Sequence, residues 1–361
     1  MNDSRTFRDE QLGGPSRPPL GEELLPPVEQ PSAKFIIQLF VVPALIVMAI
    51  VSVWLSISWL VRTTTLGPEK LIEGIDKGAS VARWQRASEL ADMLHNKHYA
   101  SLRRDEKSAG QLAQILDREL DQSKTGAGGQ EAATLRYFLT RALGEFDVQA
   151  GTDTLLRAAQ MKSSPEAELV RRGAIEAIAV RAFNLSKLEP PEQLTSPELE
   201  PTLIQLSNDE DAEIRYRAAY ALGKVGTPDA LARLEALASD PDADTRYNAA
   251  VALAHRGNAK AIETLAEMLD LDELSKAGDK TIEGLEAADV GSKQALIVGS
   301  AIEAALALQQ QNAQADMTPV SKAVESLIAA EPAQLQAAHI SPRVKADAEH
   351  LLRLLKGGAE K

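Results

Sequence analysis

His95 and His98 stand three residues apart, a spacing that puts two imidazoles on one helix face. Paired imidazoles can begin a metal site, but ligation needs a third and a fourth ligand. The neighbouring sequence indicates neither, and His255, His339 and His350 are isolated. The run Asn208 to Glu213 holds four carboxylates. It lacks the glycine at the sixth position and the distal glutamate of a calcium loop, so a helix-capping turn is the expected role. Gly126-Ala127-Gly128-Gly129 has the glycine density of a phosphate loop. No Lys-Ser/Thr pair follows it, so it reads as a flexible linker. No GxSxG elbow, zinc signature or dinucleotide fingerprint occurs. The absence of cysteine excludes disulfides, thiolate metal sites and a cysteine nucleophile. The expectation is a protein without catalysis, cofactor or metal.

What does recur is an arginine followed by an aromatic: Arg83-Trp84, Arg136-Tyr137, Arg215-Tyr216 and Arg246-Tyr247. Two roles suit the pair, and the first is the favoured one. The arginines can ladder onto aspartates of the neighbouring turn while the rings cover the seams between repeats. Alternatively, Trp84, Tyr137, Tyr216 and Tyr247 form a stripe that grips a protein or peptide, since tyrosine, tryptophan and arginine are common interface anchors. Tyr216 and Tyr247 lie about 200° round the helix from the first apolar anchor, at ~100° per residue. They are therefore expected at a seam or a groove, not in the core.

The elements that must position these pairs are legible from a 31-residue echo. Ile214 to Gly226 returns as Thr245 to Gly257, with Arg-Tyr, Ala-Ala and Ala-Leu in register. A fixed period of this length marks a stacked repeat array. Ile214, Ala218, Ala221, Leu222 and Val225 share one helical face. The same offsets occur at Leu135, Leu139, Ala142, Leu143 and Phe146, and weaker copies start at Val170 and Ala82. Two more are expected at Val298 to Leu306 and Val344 to Leu352. A second helix follows Gly226-Thr227-Pro228, where glycine suits a stop and proline a start. Asp209, Asp211, Asp240 and Asp242 lie in turns where their oxygens can cap the next helix. The arginine positions 83, 136, 171, 215 and 246 are separated by 53, 35, 44 and 31 residues. The longer gaps predict insertions at Lys97 to Ser123 and Asn184 to Pro201, and a third follows the last arginine at Asp270 to Gly291.

Upstream of the array, residues 35–61 form an uncharged stretch of 27 residues between Lys34 and Arg62. About 20 apolar residues suffice to cross a bilayer core. Gln38 lies near one end, and Trp54 and Trp59 lie toward the other, as interfacial residues do. A cleaved signal peptide fits less well, because the run is long, starts late and lacks a clean small-residue cleavage site. The chain therefore divides into a proline-rich tail expected to be disordered (1–34), a transmembrane helix (35–61), a tether (62–69), an α-solenoid (70–355) and a short disordered tail (356–361). The fold class is all-α. Near the span, Arg62, Lys70 and Lys77 outnumber Arg17 and Lys34, which places the repeat domain on the cytoplasmic side.

The net charge is −13, and residues 62–361 hold 35 of the 39 Lys+Arg and 46 of the 52 Asp+Glu, a balance of −11. Such an array repels phosphate backbones, so no nucleic acid is expected as a partner.

At Asp240-Pro241-Asp242-Ala243-Asp244-Thr245-Arg246 and Ala249-Ala250-Val251-Ala252-Leu253 the chain resembles HEAT repeats, most nearly the short repeats of phycobilisome-lyase-type proteins. Residues 203–269 carry the resemblance well, 130–182 moderately, and 70–95 and 292–355 in outline. The resemblance implies stacked helix pairs and, for most such proteins, a scaffold. The expected function is a membrane-tethered scaffold that binds a protein partner. The alternative is a subunit or accessory factor of a membrane-associated enzyme, or a lyase-like enzyme suggested by the repeat subtype.

Overall fold

The computed structural model describes residues 32–64, 67–123, 129–162, 164–275 and 287–357. Residues 1–31 of the tail, Gly126 to Gly128 of the linker, residues 276–286 of the last insertion and residues 358–361 lie outside the described residues. The chain divides into two units, Met1–Thr65 and Leu66–Lys361.

The first unit contains α1 (Ala33–Thr64), a helix that continues through Pro43. Its window Ile37–Ser56 has a mean hydropathy of 2.5, and none of it is buried. α1 is therefore long and apolar enough to cross a membrane. Ser56 donates its hydroxyl to the Ser52 carbonyl at 2.7 Å, which satisfies a polar group within the apolar helix.

Among the described residues, the second unit contains helices and no strand. Its main helices are α2 (Pro68–Lys77), α3 (Ser80–His95), α5 (Glu106–Ser123), α6 (Gln130–Gly144), α7 (Thr152–Ala159), α8 (Pro165–Ser186), α9 (Leu199–Leu206), α10 (Ala212–Val225), α11 (Pro228–Leu237), α12 (Ala243–Ala254), α13 (Ile262–Met268), α14 (Ala287–Gln311), α15 (Thr318–Ala329) and α17 (Pro342–Gly357). Short helices α4 (Ala100–Arg103) and α16 (Pro332–Ala337) serve as connectors. Two layers result. In the first, α3, α6, α8, α10, α12, α14 and α17 pack each against the next. The second contains α2, α5, α7, α9 and α11 in succession, then α13 against α15.

The echo explains the local order. Asp211 accepts from Glu213 N, and Asp242 from Thr245 N, at 2.8 Å each, so both aspartates cap their helices as expected. Gly226 ends α10 at φ 67°, a left-handed conformation that costs glycine little. Thr227 then caps α11, and Pro228 fills its first turn. Ile214, Ala218, Ala221 and Leu222 of α10 are buried, as are Ala249, Ala250 and Leu253 of α12. Each buried leucine contributes roughly 1.5–3 kcal/mol.

One expected insertion is a structural element. The charged stretch Lys97 to Ser123 contains α5, whose Ala109, Leu112, Ala113, Leu116 and Leu120 are buried. Its long gap is filled by a second-layer helix, because a narrow apolar stripe runs beneath the charges. The second insertion is shorter than expected, since α8 extends to Ser186. The array begins at Pro68, and α17 reaches Gly357.

The recurring arginine ties neighbouring elements together. Arg215 donates from Nε and Nη2 to Asp240, and from Nη1 to the carbonyls of Asp209 and Glu210, all at 3.0 Å. Arg171 likewise reaches Asp209 and also holds Glu168 at 2.9 Å. Arg83 and Arg246 reach second-layer helices instead, at Glu119 of α5 (2.7 Å) and Glu267 of α13. Arg136 is buried, and its Nε has no hydrogen-bond partner among the described residues. Burial pushes its guanidinium pKa down, with Glu119 opposing. The fully buried Arg181 donates to the carbonyls of Leu143 and, at 2.9 Å, Ala150, closing the C-terminal end of α6. Loss of water pushes the pKa of Arg181 down to about 10.

Candidate functional site

The four aromatic candidates fall into two groups. Trp84 of α3 is half-buried and stacks on Phe138 of α6, with centroids 5.9 Å apart and planes 20° apart. Phe138 meets Tyr137 edge-on at 5.2 Å. Tyr137 in turn lies against Gly173 of α8, where a Cβ would sit 2.8 Å from its ring. This chain of rings bridges α3, α6 and α8, and Tyr137 also lines a small cavity of about 90 Å³.

The row of rings ends at α8, where Arg172 occupies the aromatic position. Arg172 pairs with Asp211 and Glu213 at 2.8 Å each. Glu213 also holds Arg217 at 3.2 Å. The Arg217 guanidinium lies 4.6 Å from the centroid of Tyr216, which is half-buried. Tyr247 is more deeply buried than Tyr216, at 6% exposure. The reason is α13, which supplies Glu267 to accept from the Tyr247 hydroxyl at 3.1 Å. Burial, together with the Glu267 carboxylate, raises the Tyr247 pKa.

Tyr216 and Tyr247 lie on the wall of a groove of about 830 Å³. Four consecutive first-layer helices line it. Phe183 and Lys187 come from α8 and the residue after it, Tyr220 and Lys224 from α10, Val251 and His255 from α12 and its cap, and Leu296 and Glu303 from α14. Lys224 Nζ sits 4.8 Å from the Tyr220 centroid and 5.2 Å from that of Phe183. Lys187 Nζ lies 5.2 Å from the same Phe183 ring. Loss of water, and then the like charge of Lys187, push the Lys224 pKa down against the pull of Glu303. His255 is shifted down as well, by loss of water and by Lys224 and Arg256, with Glu303 opposing. Lys293 is held by Asp244 at 2.8 Å.

The residues weighed for other chemistry are engaged in packing and capping. His95 Nδ1 lies 3.3 Å from Glu145, and His98 meets Tyr99 edge-on at 5.5 Å. Asp209 and Asp211 accept from Arg171 and Arg172. No cluster of three or more metal-ligating side chains occurs among the described residues. Phe183, Tyr220 and Leu296, the exposed apolar members of the groove, were not singled out by any sequence motif. Their one signal is an apolar side chain lying off the buried stripe of its helix.

Fold and site together define a two-layer array of α-helical repeats with a groove across its first layer. Residues 199–286 match the family model of HEAT repeats, and residues 168–225 match that of a HEAT-like repeat. These matches cover the part of the chain where the echo is clearest, and they carry nothing on the lyase-type subtype. No curated protein matches the sequence. Among solved structures, the chain is similar to an engineered protein at 16% identity, over 81% of this chain and 97% of that one, with a TM-score of 0.34. It is also similar to human deoxyhypusine hydroxylase in complex with glycerol, at 15% identity over 80% and 96% of the two chains, with a TM-score of 0.28. At such scores the likenesses do not extend to function.

Proposed function

We propose that this chain is a membrane-tethered helical-repeat scaffold that binds a protein partner in the groove across α8, α10, α12 and α14, without catalysis. The observation that carries this reading is where the exposed apolar side chains fall. Among the described residues of the repeat unit, five large hydrophobics are exposed: Leu169, Phe183, Tyr220, Leu296 and Leu354. Three of the five line this one groove, Leu296 at 71%, Phe183 at 43% and Tyr220 at 41% exposure. Scattered apolar residues are ordinary on a surface, whereas their convergence in a concavity marks an interaction site. Tyr216 and Tyr247 then act as its wall, while Trp84 and Tyr137 hold a seam. The tether is α1, with the repeat unit on the cytoplasmic side by the excess of positive charge after the span.

The full chain should remain in carbonate-washed membranes. Captured from detergent-solubilised membranes, it should carry a partner that a Phe183→Ser, Leu296→Ser variant of unchanged melting temperature loses. A partner retained by that variant refutes the assignment of the groove, and a full chain released by carbonate refutes the tether.

A further inference from the structure

The groove gathers positive charges that no ion pair among the described residues meets. The chain holds 52 acidic against 39 basic side chains, and its ladder arginines use that surplus. Arg83, Arg103, Arg171, Arg172, Arg215 and Arg246 each hold a carboxylate. At the groove, Lys187, Lys224 and Arg256 form no ion pair with a carboxylate among the described residues.

Lys224 is the most constrained of the three. It is half-buried, faces the rings of Phe183 and Tyr220, and has a second ammonium at the same Phe183 ring. An aromatic face attracts an ammonium but leaves its three N–H donors without strong acceptors. A carboxylate supplies both the charge and the acceptors. The groove's other wall sets Leu296 and Ile297 of α14 among Lys293, Ser300 and Glu303, with Val251 of α12 beside the tyrosines.

We propose that this groove takes an acidic segment of the protein partner, its carboxylates on Lys187, Lys224 and Arg256 and an apolar side chain against Leu296 and Tyr220. The proposal rests on the reading of the groove as the partner site and specifies the partner's chemistry. A peptide fits better than a polyanion. The surrounding chain is acidic, and duplex DNA brings one charge per ~1.7 Å to that field, whereas a short segment brings a few carboxylates directly to the cations. The exposed Leu296 and Tyr220 also ask for an apolar side chain, which a phosphate backbone lacks.

The test uses the full chain in native membranes, with a photo-reactive benzoylphenylalanine at Leu296 and, as a control on the second layer, at Lys107. Crosslinked segments are sequenced by mass spectrometry. The expected adduct at Leu296 is a protein segment rich in Asp and Glu. Its yield should fall at least tenfold in Lys187→Glu, Lys224→Glu, with the melting temperature unchanged. Arg256→Glu, an exposed position, repeats the test if the double variant unfolds. A neutral or basic segment at Leu296, or a yield indifferent to charge reversal, overturns the acidic assignment and leaves the groove as the partner site. Adducts to lipid or nucleic acid alone, or protein adducts only at Lys107 or at neither position, overturn both.

Discussion

Gly223 of α10 faces Ala252 of α12 so closely that a Cβ added there would lie 2.5 Å from the Ala252 Cβ. Carbon atoms in contact prefer about 3.5–4.0 Å, so Gly223→Ala must push two first-layer helices apart. Two effects oppose each other. Replacing a glycine inside a helix by alanine gains about 0.5–1 kcal/mol from propensity and chain entropy. Overpacking a tight contact costs about 1–3 kcal/mol. The second wins, and the expected net loss is about 1 kcal/mol. Gly110 of α5 and Gly299 of α14 are helical glycines with open space where their Cβ atoms would stand. Alanine there should stabilise by about 0.5–1 kcal/mol. The difference between Gly223→Ala and Gly299→Ala therefore isolates the contact between α10 and α12. Urea melts of the unit Leu66–Lys361 measure it. Native-state hydrogen exchange in α10 and α12 gives the local reading, since long repeat arrays depart from two-state unfolding. Ala252→Gly in the same chain should recover at least ~1 kcal/mol as coupling energy. If Gly223→Ala stabilises as much as Gly299→Ala, the close approach of the two helices is wrong.

Arg215→Met should cost about 2–4 kcal/mol, below the upper end for a broken buried pair because solvent reaches part of both partners. The side chains of Arg215 and Asp240 are 15% and 9% exposed. Arg246→Met should cost less, about 1–2 kcal/mol, because its pair with Glu267 is 22% and 30% exposed; the reverse order in urea melts would refute the ladder's energetics. Leu222→Ala and Leu253→Ala should each cost about 2–5 kcal/mol, and a change below ~0.5 kcal/mol, as at a surface position, would show the register to be wrong. His255 has a folded pKa below the usual 6.5, so the unfolded chain takes up its proton first as pH falls. Stability should then decline as pH drops from about 6.5 through the folded pKa, and His255→Gln should flatten that part of the curve in melts taken across pH.

The repeats were legible where each helix carries its own punctuation. Asp211, Asp242, Gly226, Thr227 and Pro228 mark starts and stops by local chemistry, so α10 to α12 follow from the residues themselves. α5 was hidden because its buried stripe of Ala109, Leu112, Leu116 and Leu120 runs under charged residues and has no Arg-aromatic mark. The Arg-aromatic pairs were visible, but their two halves do different work. The arginine acts across the seam, with a turn aspartate as acceptor for Arg171 and Arg215 and a second-layer glutamate for Arg83 and Arg246. The aromatic's setting depends on what the neighbouring helix presents: a ring beside Trp84, a glycine beside Tyr137, a glutamate beside Tyr247. The groove was not legible, because it is assembled from α8, α10, α12 and α14 and no single stretch carries its pattern.

That assembly has a consequence for how binding acts on the fold. In a stacked array each repeat touches its neighbours, and stability is a sum of repeat terms and nearest-neighbour terms. The first-layer contacts run in that manner, α8 to α10, α10 to α12 and α12 to α14. A ligand lying along the groove from Phe183 to Leu296 touches all four helices at once. It therefore adds a link between repeats that are not neighbours, across three seams. Its binding energy is available only when all four helices hold their relative positions, so an opening at any one of those seams forfeits it. The close packing of Gly223 on Ala252 sets one such position, and both residues line the groove itself. The same tight contact that stacks the repeats thus shapes the floor on which a partner would rest.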